Sequence, residues 1–488
     1  MYRSSRLRPF AAVALTVAVS TSIGLVGAGQ ADARPRVPVV ANVGRIASQD
    51  VPSFPGPGTP SEPDTLVEPD VAVSPLNPNI AVAAAHDSRF PDGGAVGISH
   101  AWTSNGGVTW KHAPVPGLTK ATGGRWDRAS DPVLAFGPNG DVYLSTIALN
   151  TAATDCRSVV LVSRSTDGGA TFGAPVTAQF TDDCALFNDK NWIVVDNGAT
   201  SPHRGRIYQV WTLFKATSVD QTVRWSDDRG QTWSKAVQLT PTSFFGTQNS
   251  QTVVLANGTL VDTYLDFRFA SRAIEDPRKG ADAAARALAV GPPGLRMMAV
   301  RSGDGGATWS APTVVAEHVG FGPDDVRCCL PSGTIDPATG RLHVAWISED
   351  SRSILTSGSS DGRNWSAPVR ASRGAGPDIQ RVNVDVAAYG GNVTVSYGSR
   401  DLSVAAGRYW QQVASTSYDG GASYGPPQAL GPRYDSNFGA FAGAVFPGDY
   451  IGSAATRGRT YLVWAVASTP PSPKARFHQV LYGAVLRP

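Results

Sequence analysis

The sequence predicts an all-β chain, a β-propeller of four-stranded antiparallel blades, and three observations lead to it. A short turn sequence recurs six times: TSNGGVTW (Thr103 to Trp110), STDGGATF (Ser165 to Phe172), SDDRGQTW (Ser226 to Trp233), SGDGGATW (Ser302 to Trp309), SSDGRNW (Ser359 to Trp365) and SYDGGASY (Ser417 to Tyr424). Each copy follows an apolar or alternating run, such as Val159 to Ser163 or Met297 to Arg301, which is the pattern of a strand. The copies lie about 63 residues apart, so the chain beyond its leader holds roughly seven units, with six as the alternative.

The composition of the turn follows from its chemistry. The carboxylates of Asp167, Asp228, Asp304, Asp361 and Asp419, and the amide of Asn105, accept backbone N–H groups of their own turn, while glycine supplies the positive φ. The closing rings of Trp110, Phe172, Trp233, Trp309, Trp365 and Tyr424 bury their apolar faces between sheets. These residues are expected to build the scaffold and to take no part in chemistry.

The ends add to this picture. Residues 1–33 read as a secretory signal peptide: Arg3, Arg6 and Arg8 form a basic start, Phe10 to Ala28 an apolar core, and Ala31-Asp32-Ala33 a cleavage site. Residues 34–63 are expected to hold a closing strand, Val39 to Ile46, and a Pro/Gly-rich linker, Val51 to Pro63; residues 64–488 are the propeller. The last unit, from Tyr450, lacks a fourth strand, and the closing strand is expected to supply it. Ala270 to Gly294 reads as an insertion in the fourth unit, with room for a short helix.

Charge and cysteine content bound the partners. The formal net charge is +3 and falls to +1 without the leader, and there is no basic run, so no nucleic-acid partner is expected. Neither is a membrane partner after signal cleavage, and a secreted monomer is expected. Four cysteines suit an oxidising compartment. Cys156 and Cys184 flank the second turn copy and are placed to pair, whereas Cys328 and Cys329 leave three options open: pairing with each other, with the first two, or staying reduced. No cofactor and no metal are expected, since neither C-x-x-C nor H-E-x-x-H occurs.

The repeated turn resembles the Asp-box, or bacterial neuraminidase repeat, and the chain resembles the sialidase-like β-propeller superfamily, as a secreted exo-alpha-sialidase-like protein. In such blades the boxes occupy one end, so chemistry is expected at the other, on loops entering first strands or leaving second strands. Those loops collect Glu68, Asp70, His86, Asp87, Arg89, Asp131, Asp189, Lys190, Gln248, Arg327, Arg381, Asp449 and Tyr450, among others. Arginines and carboxylates on one mouth suit an acidic or hydroxylated sugar.

The resemblance implies roles for some of these residues. Tyr450 would be the nucleophile, Glu317 its activating carboxylate and Asp87 the acid/base, with Arg89, Arg327 and Arg381 holding a substrate carboxylate. The chain departs from the family at the first inner strand, where Val67-Glu68-Pro69-Asp70 replaces a Phe/Tyr-Arg-Ile-Pro motif. The implied function is a glycoside hydrolase acting on terminal acidic sugars of glycoconjugates. The alternatives are a non-catalytic propeller binding glycan or protein, and a polysaccharide lyase using His86 with Arg89 or Tyr450 with Arg381.

Overall fold

A computed structural model describes residues 37–47, 61–63, 65–152, 155–241, 246–267, 295–374, 376–471, 473 and 475–488. The segment read as a signal peptide, most of the stretch read as a linker and the expected insertion at 270–294 lie outside these residues. The all-β, antiparallel expectation holds: among the described residues helical structure is confined to three short 3-10 turns. The strands fall into antiparallel groups of four, whose first strands are Val67–Val73, Arg128–Phe136, Phe187–Val195, Thr247–Val254, Ser332–Ile335, Ile379–Tyr389 and Gly452–Thr456.

Bridges between neighbouring groups, Ala95 with Ala129 and Val319 with Ser348, merge two pairs of groups into eight-stranded sheets. Each first strand lies beside the first strand of the next group, and Gly452–Thr456 lies beside Val67–Val73. The last group takes its outer strand from the other end of the chain: Val39–Ala47 pairs with Gln479–Arg487, Val39 opposite Arg487.

The core is laid down between groups rather than within them. Val82, Ala84, Leu134, Leu144 and Phe172 pack the first group against the second, and Tyr143, Val160, Ile193, Ile207 and Trp211 the second against the third. Val71, Ala83, Tyr461 and Leu481 do the same for the last group and the first. Burying the faces of neighbouring sheets against one another is what the alternating strands and closing rings require.

The boxes fold as their chemistry dictates. The Ser165 hydroxyl donates to Asp167 Oδ1 at 2.7 Å and accepts the Gly169 N–H at 3.0 Å, while Thr171 donates its N–H and hydroxyl to the same carboxylate at 3.0 and 2.6 Å. Asp228, Asp304 and Asp419 repeat this pattern. Gly169 has φ +87, and a Cβ built there would overlap the Val82 side chain of the preceding group. The turns lie beside the hairpins joining first and second strands, as the Gly106 N–H to Asn79 and Gly420 N–H to Gly391 bonds show. The opposite ends of the strands are therefore free for a site.

Both cysteine pairs are disulfides. Cys156 joins Cys184 with Cα atoms 5.2 Å apart, as its position predicts, and Cys328 joins Cys329, one of the three open options.

Candidate functional site

Five first strands are interrupted at the same place. The pairing register slips between Val67 and Asp70, Ser130 and Val133, Asp189 and Trp192, Gln248 and Gln251, and Val382 and Val384. In each slip one non-glycine residue is left-handed: Glu68 (φ 54), Asp131 (φ 51), Lys190 (φ 40), Asn249 (φ 63) and Asn383 (φ 46). A left-handed L-residue costs about 1–2 kcal/mol, and a bulge re-aims its side chain. Strain repeated at one level of successive strands marks a place where side-chain direction matters. In the fifth group the Cys328–Cys329 pair precedes the first strand instead, and Cys329 Sγ accepts the Asn383 N–H at 2.9 Å. In the last group Asp449 and Tyr450 precede it.

The first three bulges and the last loop bring one cluster together. His86 Nε2 accepts the Asp131 N–H at 2.6 Å and lies 3.1 Å from Glu68 Oε2 and 3.7 Å from Asp131 Oδ1. The Ser130 hydroxyl donates to Asp131 Oδ1 at 2.7 Å, and Glu68 Oε1 accepts the Asp449 N–H at 3.0 Å. Asp189, half-buried, accepts from Gln248 Nε2 at 3.2 Å. The Lys190 ammonium lies 4.0 Å over the Tyr450 ring and 5.5 Å from that of Trp192. It is buried, and none of its three N–H donors reaches an acceptor among the described residues.

These carboxyls do not ionise alike. Burial pushes Asp131 up, but the His86 contact, the Lys190 charge and the Ser130 hydroxyl outweigh it and hold the group below the usual range. Burial raises Glu68 to about 7 against the pull of His86, and burial together with the Asp131 charge raises Asp189 to about 7. Asp449 is raised by burial, against the pull of Arg327. One carboxylate thus holds the charge, while Glu68 and Asp189 exchange protons near neutrality.

Tyr450 is buried, and its hydroxyl donates to the Pro132 carbonyl at 3.4 Å. Burial, then the charges of Asp131, Glu68, Asp70 and Asp449, push the phenol well above 10. Such surroundings hold the phenol protonated, and the structure places Tyr450 in the cluster.

The arginines divide. Arg89, 2% exposed, donates to the carbonyls of Phe441 at 3.1 Å and Pro91 at 3.4 Å and lies 3.6 Å from Glu62. Its guanidinium sits 4.5 Å from the centre of the Phe446 ring, and that of half-buried Arg327 sits 5.2 Å from the same ring. Arg381 is not with them. It donates to the Ser399 hydroxyl and lies over Tyr397, both on the second strand of its own group.

Two further residues of the expected set lie elsewhere. Asp87 follows His86 on its strand, faces the other side of the sheet by the period of two, and accepts the hydroxyls of Ser88 and Ser99. Glu317 lies on the outer strand Thr313–Gly320, half-exposed and paired with Arg296 at 3.3 Å, so it does not reach Tyr450. Sequence reasoning placed Glu68, Asp131 and Asp189 at the mouth but gave them no role. The signal was present: Glu68-Pro69 and Asp131-Pro132 set an acid before proline inside strand-like runs, and proline in a strand marks an edge or a bulge.

Glu68, His86 and Asp131 also form the one group among the described residues whose donor atoms, all within 4.8 Å, have metal-ligand chemistry. The Nε2 lone pair is already taken by the Asp131 amide, and the Lys190 ammonium supplies a cation beside Asp131. The set therefore fits a bound proton better than a bound ion.

No protein-family model matches the sequence, and no curated protein matches it. Solved structures do. The chain is similar to the leech intramolecular trans-sialidase complexed with 2,7-anhydro-Neu5Ac (TM-score 0.47, 11% identity, covering 80% of this chain and 70% of that one). It is similar to a Hadza microbial sialidase (TM-score 0.46, 13% identity, 92% and 96%) and to a Penicillium chrysogenum alpha-L-arabinanase complexed with arabinobiose (TM-score 0.43, 16% identity, 73% and 92%).

Proposed function

We propose that this chain is a secreted glycoside hydrolase, a closed seven-bladed propeller that cleaves terminal acidic sugars at the mouth ringed by its first-strand bulges. The observation that carries this reading is the split within the cluster: Asp131 is held charged while Glu68 and Asp189 are held protonated near neutrality, with two arginines alongside. Neighbouring carboxyls driven to opposite protonation states are what an acid/base pair needs.

Asp189, the half-buried member, is the general acid. It protonates the glycosidic oxygen as the bond to the anomeric carbon breaks, and the Asp131 carboxylate attacks that carbon to form a glycosyl ester. Ionised Asp189 then takes a proton from water, the water oxygen displaces Asp131, and both groups return to their starting states. The Glu68 acid and His86 hold the Asp131 loop in its left-handed form. Tyr450 supplies the wall under Lys190. Arg327, the more exposed arginine, meets the anionic group of the sugar, and buried Arg89 adds to its field.

The Cys156–Cys184 and Cys328–Cys329 disulfides support an oxidising destination. Incubation of the purified protein with fluorogenic acidic glycosides tests the reading. Release of fluorophore that is lost in Asp189→Asn is the expected result. Glycan binding without turnover would make the chain a binding propeller instead.

A further inference from the structure

Each of the six boxes packs against the group before it. A Cβ built on the last glycine of the box comes within 4 Å of a residue near the start of that group's second strand: Tyr461 for Gly107, Val82 for Gly169, Tyr143 for Gly230, Tyr208 for Gly306, Val261 for Gly362 and His343 for Gly421. The sixth group has no such cover. Its neighbour, the last group, takes its third and fourth strands from opposite ends of the chain, so no turn joins them. Leu486, opposite Thr460, stands where the other groups set the hydroxyl residue that opens a box.

The residue left uncovered is Thr394. It follows Val393, the partner of the box residue Ser417, as Val82 follows Ala81, the partner of Thr103. Across the strands it pairs with Thr416, and the two hydroxyls meet at 3.1 Å. Elsewhere the same pair is apolar, as in Val82 with Trp102, Tyr208 with Trp225 and Tyr461 with Val485. Thr394 and Thr416 are 3% and 4% exposed. One hydroxyl proton lies between them, and the other finds no acceptor among the described residues.

These threonines line a cavity of about 210 Å³, together with Tyr389, Asn392, Arg457 and Arg459. The cavity lies at the turn end, since Gly390 and Gly458 of two first-to-second-strand hairpins also line it. Its walls carry two guanidinium groups and no Asp or Glu. Arg459 donates to the Pro78 carbonyl at 3.1 Å and to the Asn79 amide oxygen, both neutral, and Arg457 is exposed. Neither arginine has an acidic partner among the described residues. Size and charge then choose the ligand. A dry cavity of about 150 Å³ takes a benzene ring, and drug-sized pockets begin near about 300 Å³, so this one suits a single substituted ring. Unpaired guanidinium favours a carboxylate, and the threonine floor and Asn392 favour hydroxyls.

We infer that the cavity between the sixth and last groups is a binding site for one hydroxylated six-membered ring bearing a carboxylate, an acid of monosaccharide size. The ligand takes the place that a seventh box would fill. The site is separate from the mouth, and the inference does not rest on the hydrolase reading.

The test is isothermal titration of the purified full-length protein with D-glucuronate, D-glucose and acetate. D-glucuronate is expected to bind with a Kd of about 1 mM or tighter, at least about tenfold tighter than either of the others, which lack the carboxylate or the ring. Arg457→Gln should weaken it by about 10-fold or more, and Thr394→Val by about 3- to 10-fold. Neither change threatens the fold: Arg457 is exposed, and valine already holds the equivalent place as Val82 and Val261. An unchanged Tm checks this. Glucuronate affinity equal to that of glucose or acetate, or unchanged in both variants, would overturn the inference, since any binding would then belong elsewhere, the mouth included. Absence of turnover on fluorogenic glycosides would fail the hydrolase reading and leave this site standing.

Discussion

At the turn end of the strands Asp167 and Asp304 lie in water, each accepting two or more hydrogen bonds from its own box; at the mouth end Glu68 and Asp131 are buried on left-handed backbone. Burial is the largest single influence on Asp167 and Asp304 and pushes them up, but the hydrogen bonds from Thr171 and Ser165, and from Thr308 and Ser302, together outweigh it and hold them at about 2. At the mouth burial wins, and Glu68 and Asp189 rise to about 7. The same kind of side chain is thus a fixed anion where its local amides satisfy it and a proton carrier where its neighbours compete for charge. Repetition of a motif six times marks the first case. The second rests on three strands meeting, and no single segment contains it.

The largest effect that separates the two ends is on turnover. Asp189→Asn is expected to lower kcat/KM by about 100- to 1,000-fold, as loss of a general acid does, and by less on a dinitrophenyl glycoside whose leaving group needs no proton. Asp304→Ala, at the other end, should leave kcat/KM within twofold. Equal losses in the two variants, measured side by side, would break the division.

Stability should show the reverse. Gly169→Ala forces a side chain into a left-handed turn against Val82 and should cost about 1–3 kcal/mol in urea unfolding. Asp304→Ala removes its bonds to Thr308 and should cost about 1–2 kcal/mol. A cost below about 0.3 kcal/mol for both would mean that the boxes do not hold the sheets.

The smallest effect is on pH dependence, and it has opposite signs at the two ends. The box carboxylates are depressed in the folded state, so their contribution is present above about pH 4 and is lost as the pH falls toward 2. Glu68 is raised in the folded state, so its contribution is full below its unfolded value near 4.5 and is lost as the pH rises through about 7. Glu68→Gln should therefore flatten the fall in unfolding free energy between pH 5 and 7 and leave the acid limb below pH 4 untouched. A wild-type profile that rises through pH 5 to 7, or a variant profile that keeps the full slope, would contradict the assignment.

Much of this was legible in the sequence, for reasons that differ by level. The boxes could be read because each is local: acceptor, glycine and aromatic lie within eight residues, and their hydrogen bonds close within the same segment. The pairing of Val39–Ala47 with the last strand followed from a spare strand at each end. The mouth could be read as a set of polar loops but not as a mechanism. Asp87 and His86 are adjacent in sequence and point to opposite sides of one strand, so choosing between them needs the register. The resemblance implies a role for Glu317 without its register, and its strand is the outer one of its group. Asp131 took no role because its charge depends on Lys190 and His86, which are supplied by two other groups.

The most direct measurement compares Asp131→Asn with Tyr450→Phe on the best fluorogenic glycoside, with folding checked by thermal unfolding. The carboxylate account predicts that Asp131→Asn loses at least about 1,000-fold in kcat while Tyr450→Phe stays within about tenfold. Loss of turnover in Tyr450→Phe with activity retained in Asp131→Asn would contradict it and return the chemistry to a tyrosine nucleophile.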